Sequence, residues 1–193
     1  ELRAKYMQAI AAGSIDEASG NCAFAQSCLE VLRPMLFLRL QNPELRPAFR
    51  QRLEWAAAHW ELQAEAAVTA HSQALYQADE EIYRAFFLPT YQLLLENYLV
   101  NGVFKNLFIL EEQKVYGTEW FRLILQFVIV RLLLIAQLQS LQKLPDQAQV
   151  IALIQQVARA IGHDTLYLNQ AAAKLQAQGG EEALADFCYR VLL

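Results

Sequence analysis

Histidines and cysteines are the side chains of this 193-residue chain best suited to metal ligation or nucleophilic chemistry, and there are three of each: His59, His71, His163 and Cys22, Cys28, Cys188. Their spacing assembles neither. No HExxH or similar ligand pattern is present, and Cys22 and Cys28 stand six apart without a second pair, so the spacing specifies neither a zinc nor an iron–sulfur site. The thiols read as inert. Trp55, His59 and Trp60 are expected to pack between helices, with the imidazole at an edge. No GxGxxG or phosphate-cradling glycine loop occurs, so a Rossmann-type cofactor site is not expected and no catalytic residue is specified.

Charge narrows the function classes further. The net charge is −4, and the densest basic region, Arg33, Arg39, Arg46, Arg50 and Arg52, is interrupted by Glu30, Glu44 and Glu54. That reads as a solvated mixed-charge face rather than the basic stripe that phosphate binding requires, and it argues against nucleic acid. Too few cysteines for a disulfide framework imply a reducing compartment, the cytoplasm. Charges occupy the place of a signal-peptide apolar core in ELRAKYMQAIAAGSIDEASG. Glu1 in place of an initiator Met leads to the expectation of polypeptide upstream.

Two charges fall on apolar faces. Within WFRLILQFVIVRLLLIAQL, Trp120–Leu138, Arg131 lies among Ile124, Phe127, Val128, Leu134, Ile135 and Leu138. A guanidinium near the middle of a bilayer is expensive, so this stretch reads as a buried core helix; attachment to a membrane surface stays open. Glu96 shares a helix side with Leu93, Leu99, Val100, Val103, Leu107 and Leu110. Either Glu96 and Arg131 pair in the core, or each reaches its own partner or opening. On the other side of the same helix Asn97, Asn101 and Lys105 recur every four residues, a solvated face or a binding face. Asparagine is a mediocre helix former, which invites the second reading.

The elements that must carry these residues are helical, because 55% apolar positions with only 7 glycines and 5 prolines leave few corners for hairpins. The expectation is an all-α, multi-helix bundle of roughly eight to nine helices in one domain over residues 1–193, with a central apolar helix near 120–141. Ser14 and Glu17 resemble a capping box. A helix over 21–41 is expected to kink or restart at Pro34, and Asn42 and Pro43 to open the longest straight helix, running to about residue 78. Pro89 should divide 79–88 from 89–110. Pro145 and Asp146 should open a helix stopped by a left-handed Gly162, Asp164 should cap the next, and Gly179 and Gly180 should separate it from a terminal helix.

The run LLLENYLVNGVFKNLF, Leu93–Phe108, resembles the C-terminal region of bacterial flagellin lysine-N-methylases. FVIVRLLLIAQL, Phe127–Leu138, and VARAIGHDTLYLNQ, Val157–Gln170, follow in the family's order, so that the resemblance covers about residues 83–175. It implies the helical C-terminal part of a longer enzyme that transfers methyl groups from S-adenosylmethionine to flagellin lysines and holds an iron–sulfur cluster in a cysteine-rich N-terminal half. The cluster is not carried onto Cys22, Cys28 or Cys188. Flagellin and that N-terminal half are the implied partners, an oligomer is open, and this fragment alone is expected to be inactive. Glu96, Asn97, Asn101, Lys105, Asn106 and Arg131 carry over as motif positions. The alternative is a stand-alone helical interaction module that receives a partner helix in an apolar groove.

Overall fold

Helices with one apolar stripe must bury it against other helices, and a helix apolar on most sides must lie at their centre. The computed structural model describes residues 22–106 and 116–192. The helices are α1 (Cys22–Leu40), α2 (Pro47–His59), α3 (Ala70–Ile82), α4 (Leu88–Asn106), α5 (Tyr116–Leu141), α6 (Gln147–Ile161) and α7 (Thr165–Leu192), with a π turn, Tyr83–Phe87, joining α3 to α4. The all-helical expectation is met, and no strand occurs among the described residues. The helix count is seven there rather than eight to nine. Ser14 and Glu17 lie outside the described residues.

The longest apolar helix, α5, is the hub, packing against α7, α6, α2, α3 and α4. Its stretch Glu119–Leu141 is long and apolar enough to cross a membrane, yet 72% of its most apolar window is buried inside the bundle. Leu125, Val130, Leu134, Ile135 and Leu138 have no exposed surface, and each such side chain contributes about 1.5–3 kcal/mol by leaving water.

Several expected boundaries are corrected by the structure. The helix after Pro43 does not run to residue 78. Asn42 instead makes a turn, its side chain accepting from the Glu44 amide at 2.9 Å, and α2 begins at Pro47. It ends after His59, because Glu61 takes a left-handed conformation with φ 52° while the Leu62 amide donates to the Ala57 carbonyl at 2.8 Å and the Glu61 amide to Ala58 at 3.1 Å. This is a Schellman stop with glutamate where glycine is usual, sealed by buried Leu62. Arg33 then holds the following loop by donating to the carbonyls of Gln63, Ala64 and Ala66.

Pro89 does not break the chain's course from Ala70 to Asn106 either. The π turn directly before it widens the helix, with the Leu88 amide reaching back to the Tyr83 carbonyl, and accommodates the ring that would otherwise press on the preceding turn. Tyr83 and Phe87 stack there with ring centroids 5.0 Å apart, and Phe87 meets Tyr91 at 4.8 Å. α7 likewise passes through Gly179 and Gly180. Two interior glycines cost roughly 1 kcal/mol each, but continuing the helix places Leu184 and Phe187 in the core, Phe187 against Phe121 at 5.2 Å. α1 similarly runs through Pro34.

α6 opens after Asp146 as the sequence indicates, and Asp146 caps it in a full capping box with Gln149. Gly162 follows it with a right-handed φ of −60°, not the left-handed stop expected. Its requirement is space, since a Cβ would stand 2.6 Å from the Ala158 carbonyl oxygen. Asp164 caps α7, accepting from the Tyr167 amide at 2.9 Å and pairing with buried Arg39 of α1, which also lies over the Tyr167 ring.

Glu61→Gly is expected to stabilise the chain by about 0.5–1 kcal/mol in thermal or urea unfolding, because glycine relieves the left-handed strain; a loss of stability would show that φ to be unstrained. Burial pushes the Asp164 carboxyl up, but the Tyr167 amide and Arg39 outweigh it and hold the group below its ordinary 3.8. A depressed folded pKa contributes stability present above about pH 4 and lost as pH falls through the folded value. Asp164→Asn should therefore flatten the acid limb of the stability profile below that pH; an unchanged limb would assign acid sensitivity to other carboxylates.

Candidate interaction groove and its buried support

α4 meets the bundle through Leu95, which is buried, and through half-buried Leu94 and Tyr98. Its opposite side carries an apolar stripe in solvent: Leu93 and Phe104 are 69% exposed and Val100 50%. Of these, Leu93 and Val100 are expected from the sequence to face the core together with Glu96. The inward side is shifted relative to that reading, because apolar residues occur on both sides of α4 and the side with the aromatic Tyr91 and Tyr98 won the interior, leaving Leu99 and Val103 half-buried.

Between α4 and α6 lies a groove of about 670 Å³. Leu94, Tyr98 and Ile154 form its apolar part, while Asn97 and Asn101 on α4 face Gln147 and Gln155 on α6. The Tyr91 hydroxyl spans the end of the groove and donates to the Pro145 carbonyl at 2.6 Å, fixing α4 against the loop that enters α6. Burial raises the Tyr98 hydroxyl to about 12, so it is neutral near pH 7 and available as a hydrogen-bonding group. At Gly102 an added Cβ would stand 2.4 Å from Leu123 Cδ1, so the glycine lets α4 approach α5.

The two predicted asparagines therefore share one groove and are exposed. Lys105 and Asn106 end α4, but their side chains lie outside the described residues. Exposed amide groups beside exposed leucine and phenylalanine suit recognition of an amphipathic polypeptide, in which apolar anchors supply affinity and amides fix register.

The proposed ion pair between Glu96 and Arg131 is corrected. Glu96 is exposed and accepts from Gln92 at 2.7 Å on its own helix. Arg131 of α5 instead pairs with Glu80 of α3, whose side chain is only 6% exposed. The same Glu80 oxygen accepts from Arg84 Nε at 3.0 Å, and the Arg131 guanidinium stands 5.9 Å from the Tyr83 ring centre. This cluster brackets the π turn and fastens α3 to the hub. Asp79, the neighbouring residue, is also buried and accepts from Trp60 Nε1 at 2.8 Å, with His59 Nε2 at 2.6 Å. Trp55 stacks on His59 at 4.7 Å, so the imidazole expected at an edge braces α2 against α3.

Sequence inspection missed Glu80 as Arg131's partner. Adjacent acids Asp79 and Glu80 look like an ordinary polar patch until the fold buries both. A metal or iron–sulfur centre finds no support in the described residues: no group of three histidine, cysteine or acidic residues converges there. Cys188 is half-buried, and burial pushes its thiol up to about 11, which keeps it protonated.

Arg131→Ala is expected to destabilise the chain by roughly 3–5 kcal/mol, because it strands a buried carboxylate. Equilibrium unfolding in urea measures this, and a change within about 0.5 kcal/mol, the range of ordinary surface sites, would exclude the buried pair.

A family model described as the FliB lysine N-methylase C-terminal domain matches residues 1–186. The match extends over the first 80 residues, beyond the stretch that carries the sequence resemblance. No curated protein and no solved structure matches the chain.

Proposed function

Because the chain belongs to the FliB lysine N-methylase C-terminal domain family, we propose that it is the helical C-terminal region of a protein-lysine N-methyltransferase acting on flagellin, and that it binds the substrate while a catalytic half supplies the chemistry. The observation that carries this reading is the α4–α6 groove, where Asn97 and Asn101 lie beside the exposed stripe of Leu93, Val100 and Phe104. A flagellin segment laid along α4 would cover that stripe and present a lysine toward the catalytic half. In this reading the methyl donor, S-adenosylmethionine, and the iron–sulfur cluster belong to the N-terminal half, and the work is done in the cytoplasm.

The chemistry of the described residues supports the division of labour. Their buried acids are engaged by arginine, histidine or tryptophan partners that hold helices together, as Glu80 and Asp79 show. What the α4 face offers is contact area and amide hydrogen bonds, the equipment of a binding surface. Lys105 extends that face by its place one turn beyond Asn101.

Purified flagellin immobilised on a sensor surface tests this directly. The 193-residue chain should bind, and the double substitution Leu93→Asp with Phe104→Asp should weaken binding roughly tenfold or more, while thermal unfolding stays within about 0.5 kcal/mol because both side chains are exposed. Lys105→Glu should also weaken binding. Equal binding by the double variant would remove the groove from substrate recognition, and methylation of flagellin by this chain alone with added donor would overturn the placement of catalysis elsewhere.

A further inference from the structure

The arginines of the bundle divide into two groups. Arg39, Arg50, Arg84, Arg122 and Arg131 each meet a carboxylate, and Arg33 is tied to backbone carbonyls. Arg46, Arg52 and Arg159 differ. Arg52 donates to the neutral Gln137 at 3.2 Å and Arg159 to the neutral Gln155 at 3.5 Å. Arg46, at the head of α2, makes no side-chain capping bond. Among the described residues none of these three has a carboxylate within ion-pair reach.

All three border one seam between α2 and α6. A cavity of about 490 Å³ holds Arg52 with Trp55, Gln137 and Ser140, and an adjoining one of about 300 Å³ holds Arg46 and Arg159. The two adjoin at Ala48 of α2 and Ala152 of α6, which line both. Among the described residues no aspartate or glutamate lines either cavity, while Glu44 and Asp164 border the next cleft beyond Arg46 and Arg159. In a chain of net charge −4 with 20 acidic residues, a trough lined by three guanidinium groups and, among the described residues, by no acid is a local reversal of the overall field.

We propose that the α2–α6 seam is a docking site for an acidic polypeptide segment, whose carboxylates pair with Arg46, Arg52 and Arg159. Guanidinium forks match carboxylates in bidentate geometry, and the glutamines between them supply hydrogen bonds to a peptide backbone. From Arg46 to Arg52 α2 rises about 9 Å, so carboxylates three residues apart on an extended segment match the spacing of these two arginines. Burial lowers the Arg52 pKa, as befits a guanidinium short of counter-charge. A polyanion such as nucleic acid is the poorer fit, because three cations in a trough floored by alanine and rimmed by neutral amides neutralise few phosphates. A lysine-bearing segment would be repelled, so this surface is separate from the α4–α6 groove and goes beyond the proposed substrate role.

The test is fluorescence anisotropy with the 193-residue chain and a fluorescein-labelled peptide of alternating glutamate and alanine, beside the same peptide with glutamine for glutamate. Binding to the acidic peptide should be roughly tenfold tighter than to the neutral one and should weaken as salt rises. Arg52→Gln and Arg159→Gln should each weaken it about fivefold, and the triple variant with Arg46→Gln should reduce it to the neutral level. Lys174→Gln, an exposed cation away from the seam, should leave it unchanged. Equal affinity for the two peptides, an equal loss in Lys174→Gln, or displacement of the peptide by a shorter oligothymidylate at lower concentration would overturn the proposal.

Discussion

The buried Glu80 carboxylate, shared by Arg84 and Arg131, is the interaction on which the arrangement of the bundle rests. Arg131 sits in the middle of the apolar hub helix, and a guanidinium there is tolerable only if a negative group comes to it. Glu80 can come because α3 ends in the π turn, whose extra residue sets the phase between Tyr83, Phe87 and the rest of α4. The ion pair and the wide turn are therefore one device: the first fixes where α3 crosses α5, and the second fixes which side of α4 faces inward.

That dependence explains why the architecture was easier to read than the register. The apolar density of Trp120–Leu138, the helix start at Asp146 and the cap at Asp164 are local signals, and each appears where the sequence places it. The failures lie where tertiary packing overrides a local rule. Glu61 closes α2 in a conformation normally left to glycine, Gly179 and Gly180 stay helical because Leu184 and Phe187 hold the core beyond them, and Pro89 passes because a π turn precedes it. Punctuation residues report local cost, while the buried side chains that follow decide whether it is borne.

The groove was half legible for a related reason. The four-residue spacing of Asn97 and Asn101 correctly marks a solvent face, since asparagine gains nothing from burial there. The apolar residues of α4 are ambiguous because leucine, valine and aromatic residues occupy nearly its whole circumference. Periodicity counts apolar positions without saying which neighbour is available. Tyr91 and Tyr98 resolve the choice, being large enough to fill the interior and able to present a hydroxyl at its edge, as Tyr91 does to Pro145. Leu93, Val100 and Phe104 are then left outside, and a stripe of that kind in water is itself the mark of an interface.

One helix serves both surfaces. α6 buries Val150, Leu153, Val157 and Ile161, a narrow stripe at the spacing of successive turns. The remainder of its circumference is free to border two clefts: Ile151 and Ile154 line the α4 side, Ala152 and Arg159 the α2 side, and Gln155 reaches both. Such a helix must be held firmly at its ends if either cleft is to keep its shape. The Asp146 capping box fixes the start, and the Arg39 guanidinium fixes the end by binding the Ala160 carbonyl together with Asp164. Rigidity at α6 thus follows from the same resource that builds the hub, charged groups given defined partners inside an otherwise apolar bundle, and it lets a small all-helical domain present two chemically distinct faces.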